Sequence, residues 1–434
     1  MAKVNVHRII DNSKMNPYFS GIWIITFLAL VVDGFDQAVY GAALPVLMKE
    51  LSLSPTVSGL LGSASLWGSV LGALLLGYLT DKFGRKKTLI GCIVLFSLFT
   101  ALCATVSNNI YIFALWRFFG GMGIAAITPV SNSLLSEYTP IKTRRFLLIT
   151  NTIGITLGQM LTTLLAVWLI PILGWRGFFG VSILGLLLVP LVLKYIPETM
   201  VLLLKKKDKS EVVSILTKAD PSFVPRPDDE YEMDEVQKVK VSIVELFKNG
   251  LARNTILIWV MFFVNMCLIS TFLVWFPKIV TLMGYELKSA LLLSTIYFLG
   301  QCLGYILAGK IAEKIGYKNS LFLYYVINGV FLFLVTVKTS TLMFAVTLFL
   351  FGFTLMPQGL LYPFATANYP IAIRATGLGL GAGVTRLGGA VAPIIVGVLI
   401  AQGIAPIGIL RLLLIPVVFG AVAALLTRKA AFDS

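Results

Sequence analysis

Two stretches of the sequence, 232 positions apart, decide the fold: GSVLGALLLGYLTDKFGRK at residues 68–86 and GQCLGYILAGKIAEKIGYK at residues 300–318. Each contains three glycines in an apolar run, followed by an acidic residue, a lysine, a glycine and a second lysine at the same spacing. Glycine is common in membrane helices, so the repeated charge pattern is the stronger signal of an internal repeat. Such repeats are typical of transporters that bind their substrate where two related halves meet.

The residues around these stretches are strongly apolar. Of the 434 residues, 58% are hydrophobic and 13% are charged, whereas a soluble domain is roughly 45–50% apolar and about 25% charged. A membrane-spanning helix needs about 20 mostly apolar residues. The apolar runs of this chain lack the alternation of polar and apolar residues that barrel strands have. We therefore predict an all-α membrane protein with twelve transmembrane helices in two pseudo-symmetric six-helix halves. The predicted spans are residues 20–46, 55–80, 88–107, 109–136, 146–171, 175–196, 254–280, 287–311, 319–337, 341–367, 374–401 and 406–427.

One long polar stretch separates the sixth predicted span from the seventh. It contains three consecutive lysines, Lys205–Lys207, and the acidic run Asp228–Glu230. We therefore predict a first half at residues 1–196, a second half at residues 254–434, and between them a cytoplasmic linker at residues 197–253. The linker is expected to hold one or two short surface helices rather than a separate domain.

The net charge of +15 is placed unevenly along the chain. With twelve spans, most Lys and Arg residues fall in loops on the side of the two termini. The loops on the other side contain Lys49, Arg176, Lys278, Lys288 and Lys338. Because positively charged loops stay in the cytoplasm, we predict a multi-pass protein of the plasma (inner) membrane with both termini cytoplasmic. Topology thus accounts for the basic charge, and we expect the lipid bilayer as a partner and no nucleic acid.

The sequence contains no pattern that indicates catalysis or metal binding. The four cysteines all fall inside predicted spans, no CxxC motif occurs, and the single histidine is His7. There is no cluster of His, Cys and Glu ligands, no nucleophile–base pair and no soluble catalytic domain. We therefore expect a protein that is not an enzyme and that uses no cofactor and no metal. We also expect it to be a monomer.

The turn after the second predicted span, GYLTDKFGRKK at residues 77–87, suggests a gate. Its glycines allow a tight turn and close helix approach. Asp81 can accept hydrogen bonds from Arg85 or from a neighbouring helix N-terminus. Such contacts would hold the halves together while the cavity faces outward; the alternative is a basic loop without a gating role. The predicted gate residues are Gly77, Asp81, Gly84, Arg85, Glu137, Arg145 and Glu313.

Two aspartates, Asp33 and Asp36, lie in the middle of the first span. A carboxylate at mid-bilayer costs several kcal/mol unless it is paired, hydrated or protonated. Positions i and i+3 share one helix face, and burial with mutual repulsion favours the neutral form of at least one aspartate. We predict that this pair binds the transported proton, with Arg117 in the fourth span as its partner. The alternative is an aspartate paired permanently with a buried arginine as a structural contact.

A second arginine, Arg386, lies deep in the second half, where no deep carboxylate is predicted. A guanidinium can bind a carboxylate through two parallel hydrogen bonds, so Arg386 is the candidate to hold a substrate anion. The alternative is a structural hydrogen bond to helix carbonyls. The other predicted substrate-binding residues are polar or aromatic side chains within spans: Tyr40, Phe35, Gln159, Asn265, Trp275, Gln301, Gln358 and Tyr362.

Residues 33–45, DGFDQAVYGAALP, resemble the first-helix signature of the aromatic acid:proton symporters, a family of the major facilitator superfamily. The turn at residues 77–87 resembles the cytoplasmic signature of that superfamily, and RFFGG at residues 117–121 resembles a motif tied to proton coupling. The resemblance covers nearly the whole chain, including residues 117–138, WFP at 275–277, RATG at 374–377 and RLG at 386–388.

The resemblance implies the major facilitator fold and proton-driven uptake of an aromatic carboxylate such as a hydroxybenzoate. It also implies that Asp33, Asp36 and Asp81 are important for transport. The sequence departs from the family pattern at Glu313, where aspartate is common, and at Lys82, where arginine is usual. These departures preserve the fold signature and leave the substrate open.

We predict a secondary active transporter that carries a small organic anion, an aromatic monocarboxylate, together with protons by alternating access. The alternative is a major facilitator transporter of another small metabolite: a sugar, a nicotinate-like ring or a cationic solute, carried by uniport or antiport. The tail RKAAFDS at residues 428–434 lacks the Pro-Glu-Thr-Lys-Gly of sugar porters, which argues against a sugar. A membrane enzyme or receptor finds no support in the motifs.

Overall fold

The protein folds almost entirely into helices. The structure, a computed structural model, describes residues 3–106, 109–206, 208–226, 229–233, 242–248, 250–355 and 357–428. Its α-helices are, in chain order, α1 (Val6–Asn12), α2 (Pro17–Glu50), α3 (Pro55–Phe83), α4 (Arg85–Leu102), α5 (Ile110–Glu137), α6 (Ile141–Gly180), α7 (Leu188–Tyr195), α8 (Met200–Lys206), α9 (Lys209–Ala219), α10 (Ala252–Leu282), α11 (Leu287–Ile315), α12 (Tyr317–Val335), α13 (Thr341–Thr354), α14 (Pro357–Asn368), α15 (Ile371–Ala401), α16 (Pro406–Leu412) and α17 (Leu414–Leu426).

Eleven stretches of the described chain are long and apolar enough to cross a membrane. One of them, Ile141–Tyr195, has 55 residues, which at 1.5 Å per residue is about 80 Å and far exceeds one crossing. It breaks at Gly174, whose φ of 64° is a left-handed conformation that suits glycine, and therefore makes two crossings. The prediction of twelve spans is confirmed, and each span overlaps its predicted range.

The outside of the helix bundle is apolar. Leu74, Ile172 and Leu342 have 72%, 76% and 76% of their surface exposed, and many other large aliphatic side chains are exposed as well. A water-soluble protein rarely presents so much contiguous apolar surface. Hydrocarbon is the solvent that suits this surface, in agreement with an integral membrane protein.

The two repeated stretches form the same turn in each half. Gly84 separates α3 from α4 with a φ of 91°, and Gly316 separates α11 from α12 with a φ of 81°. A side chain at either position would strain the backbone, so each turn depends on its glycine. Gly77, by contrast, lies inside α3, and a Cβ added there would have no neighbouring atom within 4 Å.

Helix crossings repeat between the halves with glycine at corresponding positions. In each half the second membrane helix crosses the fourth, and the first crosses the fifth, so closely that a Cβ on the glycine would overlap a backbone carbonyl of the partner. Close approach of this kind is how membrane helices gain packing energy. The corresponding glycine and carbonyl pairs are Gly68–Phe118 and Gly300–Phe349, Gly121–Ser65 and Gly352–Tyr297, and Gly158–Val31 and Gly388–Phe263. The internal repeat is thus confirmed in backbone contacts.

One face of the bundle, here called the linker face, carries both ends of the described chain and the polar stretch between the halves. There β1 (Lys3–Asn5) pairs in parallel with β2 (Glu230–Glu232), and α1 buries Val6 and Ile10 beside α9. The helices α8 and α9 match the short surface helices expected in the linker. The strand pairing was not predicted, because three-residue strands are too short for an alternating pattern. The exact boundaries of the halves and linker stay a prediction.

The two halves contact each other most closely toward the opposite face, here called the far face. Gly41 of α2 packs directly on the carbonyl of Leu273 in α10. That carbonyl has lost its helical partner, because Pro277 four residues later has no N–H to donate. Pro45 stands in the same relation to Gly41 in α2. Other contacts between the halves near the far face are Gly59 with Pro393, Gly397 with Pro55, and Thr163 with Thr295.

The halves are looser toward the linker face. A Cβ added to Gly309 of α11, or to Gly379 or Gly383 of α15, would have no neighbouring atom within 4 Å. An ion pair between the exposed side chains of Arg145 and Glu313 joins the halves there. The structure therefore holds the halves closed at the far face.

Candidate functional site

The acid pair lies at the closest crossing in the first half. Gly34, between the two aspartates, packs against the backbone of Ile155 and Gly158 in α6, which buries both neighbours. Asp33 is 0% and Asp36 is 1% exposed. Asp33 Oδ2 accepts a hydrogen bond of 3.0 Å from Gln37 Nε2. Within the described chain, Asp33 Oδ1 and both carboxyl oxygens of Asp36 meet no donor in hydrogen-bond geometry, although the hydroxyl of Thr100 is close enough to interact with Asp36. The site therefore favours groups that can take up a proton.

Arg117 of α5 is a buried cation that interacts with the pair. It is 3% exposed and interacts electrostatically with Asp36, while its Nε and Nη1 have no hydrogen-bond partner among the described residues. Its Cζ lies 5.5 Å from the centre of the Tyr40 ring, in a cation–π contact. Tyr40 in turn donates to the carbonyl of Ser58 at 2.7 Å. Tyr40 directly precedes Gly41, which packs on the other half at the far face. The charged cluster of Asp33, Asp36 and Arg117 is therefore adjacent to that contact between the halves.

A glutamine chain connects the acid pair to α6. Gln37 donates to Asp33, and its Oε1 accepts a 3.2 Å hydrogen bond from Gln159 Nε2. Gln159 is 5% exposed, and it was predicted as a substrate-binding residue. Gln37 was not singled out from the sequence. Its position four residues after Asp33, on the same helix face, was the signal that could have found it.

Arg386 of α15 reaches across to the first half. Its Nη2 donates to the carbonyl of Ala125 in α5 at 2.9 Å, and its Nη1 donates to Ala382 at 3.3 Å. The carbonyl of Ala125 is available because Pro129, four residues later in α5, has no N–H. In this state Arg386 therefore makes the hydrogen bonds to helix carbonyls that were the alternative to anion binding, and one of them joins the two halves.

Of the other predicted substrate-binding residues, Phe35 and Trp275 pack against neighbouring helices, and Tyr362 lies beside Arg386. Phe35 packs on Phe178, with ring centres 5.6 Å apart, and Trp275 is fully buried and donates to the carbonyl of Pro393 at 2.9 Å. Tyr362 interacts electrostatically with Arg386 and packs on Phe262 at 5.0 Å.

Two further predicted residues are buried on helices of the second half. Asn265 lies in α10, and Gln301 lies in α11, where its Oε1 has no hydrogen-bond partner in the described residues. The side chain of Gln358 lies outside the described residues. Of the predicted set, the structure therefore brings Tyr362 to Arg386 and Gln159 to the acid pair.

The predicted gate residues form two groups on the linker face. Arg85 pairs with Glu137, whose other oxygen accepts from the backbone N–H of Met200 at 2.7 Å, so this group lies within the first half. The second group is the pair of Arg145 with Glu313 across the halves. The side chain of Asp81 lies outside the described residues, and its predicted latch stays a prediction.

The geometry defines a membrane transporter built from two related halves, with a buried acid pair in one half and a buried arginine in the other. A family profile described as Major Facilitator Superfamily matches residues 26–294. The chain belongs to this superfamily, as its motifs predict.

Individual relatives extend the match over nearly the full length. The chain is 30% identical to the benzoate transport protein of Acinetobacter baylyi over 428 residues, which cover 97% of this chain and 92% of that protein. It is 29% identical to the 4-hydroxybenzoate transporter PcaK of the same organism, over 97% of this chain and 94% of the relative. The predicted resemblance to aromatic acid transporters is confirmed.

Among solved structures, a D-xylose-proton symporter superposes with a TM-score of 0.73, covering 95% of this chain and 98% of that one. The identity is 19%, so this likeness supports the fold alone. The predicted major facilitator fold is confirmed.

Proposed function

We propose that this protein imports an aromatic monocarboxylate together with protons, using Asp33 and Asp36 for the proton and Arg386 for the carboxylate. The observation that carries the proposal is the division of buried charge between the halves. The acid pair has carboxyl oxygens without partners among the described residues, and Arg386 is held by neutral carbonyls. A substrate carboxylate would give Arg386 a charged partner, which is the stronger kind of hydrogen bond.

The orientation of the protein in the membrane follows from the charge distribution. We assign the linker face to the cytoplasm, because the basic loops lie there, and place the protein in the plasma (inner) membrane as a monomer. In this orientation the structure is the state closed to the outside. The named substrates of the two relatives, benzoate and 4-hydroxybenzoate, support an aromatic acid as the cargo. We propose a carrier and no enzymatic activity.

Uptake into right-side-out vesicles tests the proposal. We expect benzoate or 4-hydroxybenzoate to accumulate when the outside is made acidic, and accumulation to collapse when a protonophore removes the gradient. Vesicles without the protein correct for diffusion of the neutral acid. Uptake that is indifferent to the proton gradient would contradict symport.

A substrate panel tests the alternative cargoes. 4-Hydroxybenzoate, nicotinate, an aliphatic carboxylate, a sugar and an organic cation are added in excess as competitors of labelled benzoate. We expect 4-hydroxybenzoate to compete and the sugar and the cation not to. Competition by nicotinate but not by 4-hydroxybenzoate would assign the carrier to a nitrogen-containing ring acid instead.

A further inference from the structure

We infer that Gln37 and Gln159 form an amide relay through which proton binding at Asp33 changes the hydrogen-bonding group that Gln159 offers to the substrate. The inference rests on the proposed function and assigns a positioning role to Gln37. A glutamine amide has a donor end and an acceptor end. A chain of two amides can therefore transmit the difference between a carboxylate, which accepts, and a carboxylic acid, which also donates.

In the structure, the hydrogen bonds of this chain run in the direction that matches an ionised Asp33. Gln37 Nε2 donates to Asp33 Oδ2 at 3.0 Å, and Gln159 Nε2 donates to Gln37 Oε1 at 3.2 Å. Both donors point toward Asp33, as an ionised carboxylate requires. Gln159 Oε1 accepts no hydrogen bond from the described residues and is the end of the chain that is left for other partners.

Gln159 lies beside the interface between the halves. Thr163, four residues later and on the same face of α6, has its Oγ1 2.9 Å from Oγ1 of Thr295 in the other half. The chain therefore runs from the buried Asp33 in α2 toward the boundary where substrate would bind in an alternating-access transporter.

Protonation of Asp33 reverses the polarity of the chain. A proton on Oδ1 would be a buried donor without an acceptor among the described residues, which costs about 1–3 kcal/mol. A proton on Oδ2 instead faces Gln37. The Gln37 amide then turns over, so that its Oε1 accepts from the Asp33 hydroxyl and its Nε2 donates to Gln159.

The reversal gives coupling between proton and anion. Gln159 must turn over in response, so that its Oε1 accepts from Gln37 and its NH₂ group becomes the outer end of the chain. An NH₂ group can donate to a substrate carboxylate, whereas the carbonyl oxygen it replaces would repel one. Proton binding at Asp33 thereby raises the affinity for the anion, and by linkage the bound anion favours the proton.

Other titratable groups surround the start of the chain. Asp36 on α2 and the thiol of Cys92 on α4 interact electrostatically with Asp33. Arg117 on α5 and the thiol of Cys103 interact with Asp36. None of these groups hydrogen-bonds to Gln37 in the described structure, so a Gln37 substitution removes the relay and leaves the neighbouring charges in place.

Calorimetric titration with benzoate, in buffers of different ionisation enthalpy, counts the protons taken up per benzoate bound. For the wild-type protein we expect uptake of about one proton near neutral pH. Gln37→Met keeps the length of the side chain without its amide and is expected to reduce the uptake to less than about half. Gln159→Met interrupts the chain at its second amide and should act in the same direction.

Asn151→Leu is the matched control, because Asn151 also forms a buried amide–amide bond between α6 and α5, to Asn132 at 2.9 Å, but lies outside the chain. Its proton uptake should equal that of the wild type. If Gln37 acts independently of the relay, Gln37→Met should weaken benzoate binding at every pH and leave the number of protons taken up unchanged. That result would overturn the inference. Proton uptake by the wild type with no loss in either glutamine variant would leave the proposed symport standing and reject the relay alone.

Discussion

The two halves of this protein share their helix packing and differ in their buried chemistry. Gly158 and Gly388 make corresponding close crossings. When these two glycines are aligned, at a local shift of 230 residues, Arg386 corresponds to Thr156 in the first half. At a shift of 232 residues the acid pair of α2 corresponds to Asn265 and Leu268 of α10. Repetition thus preserves the scaffold, while substitution of a few buried polar residues gives each half its own buried charge.

The same comparison explains how the halves could communicate. In the first half the charged cluster is adjacent to the far-face contact through Tyr40 and Gly41. In the second half Arg386 reaches the backbone of α5, the helix that also carries Arg117. Changes in either buried charge therefore act on contacts between the halves, as alternating access requires.

The largest effect is expected from neutralising the acid pair. Asp33→Asn or Asp36→Asn removes a group that can exchange a proton, and we expect proton-driven uptake at least about 100-fold slower, as for other essential proton-transfer groups. Exchange of labelled for unlabelled substrate across vesicles without a gradient should persist. Glu245→Gln, a neutralisation on the exposed linker, is the control. Full proton-driven accumulation in both aspartate variants would contradict the assignment of the proton to the first half.

Removal of Arg386 should have the next largest effect. Arg386→Ala deletes the charged donor proposed for the carboxylate, and we expect binding weaker by about 10- to 100-fold, since hydrogen bonds to charged groups contribute about 1.5–3 kcal/mol. The control is Arg411→Ala, because Arg411 lies at the start of the last span and donates to Thr336 Oγ1 at 3.4 Å. Binding measured by calorimetry that is equal in both variants would assign Arg386 a structural role.

A smaller effect of opposite sign is expected from Pro129→Ala. The alanine restores an N–H to α5, which competes for the carbonyl of Ala125 and releases Arg386 for the substrate. Affinity should rise by about 2- to 10-fold, the range of an ordinary hydrogen bond of 0.5–1.5 kcal/mol. Pro171→Ala in α6 is the matched helix proline that Arg386 does not contact. A fall in affinity would contradict the competition between carbonyl and substrate.

The smallest effect is expected at the linker face. Arg145 and Glu313 pair across the halves, with 70% and 49% of their side chains exposed, and such a pair contributes about 0–1 kcal/mol. Arg145→Glu should change the transport rate by less than about fivefold, and the double exchange Arg145→Glu with Glu313→Arg should restore it. A variant with no transport, not rescued by the exchange, would show that Arg145 has a role beyond this pair.

The sequence is sufficient to predict the membrane helices, which depend on local composition, and the repeat, which shows as the same residues recurring 232 positions apart. Glycines such as Gly84 and Gly316 can be placed in turns from their spacing alone. The acid pair can also be found, since two carboxylates within one apolar span are conspicuous.

The partners of buried groups cannot be predicted in this way. From the sequence, Pro129 predicts that the carbonyl of Ala125 has no helical hydrogen-bond partner. The arginine that donates to this carbonyl is 261 residues away and cannot be predicted. Whether Arg386 meets a carbonyl or an anion depends on the arrangement of the two halves. Gln37 is a different case. Its spacing of four residues from Asp33 predicts the first hydrogen bond, but the second, from Gln159, depends on the packing of α6 against α2.

A proton site in the first half and an anion site in the second can be separated in proteoliposomes that contain an entrapped pH dye and a low concentration of unlabelled benzoate. Labelled benzoate is applied outside at a higher concentration without a pH gradient, and liposomes without protein give the background. We expect the wild type to acidify the interior as benzoate enters, Asp33→Asn to exchange labelled for unlabelled benzoate without acidification, and Arg386→Ala to do neither. Benzoate entry through the wild type without proton movement, or acidification retained in Asp33→Asn, would contradict this division of roles.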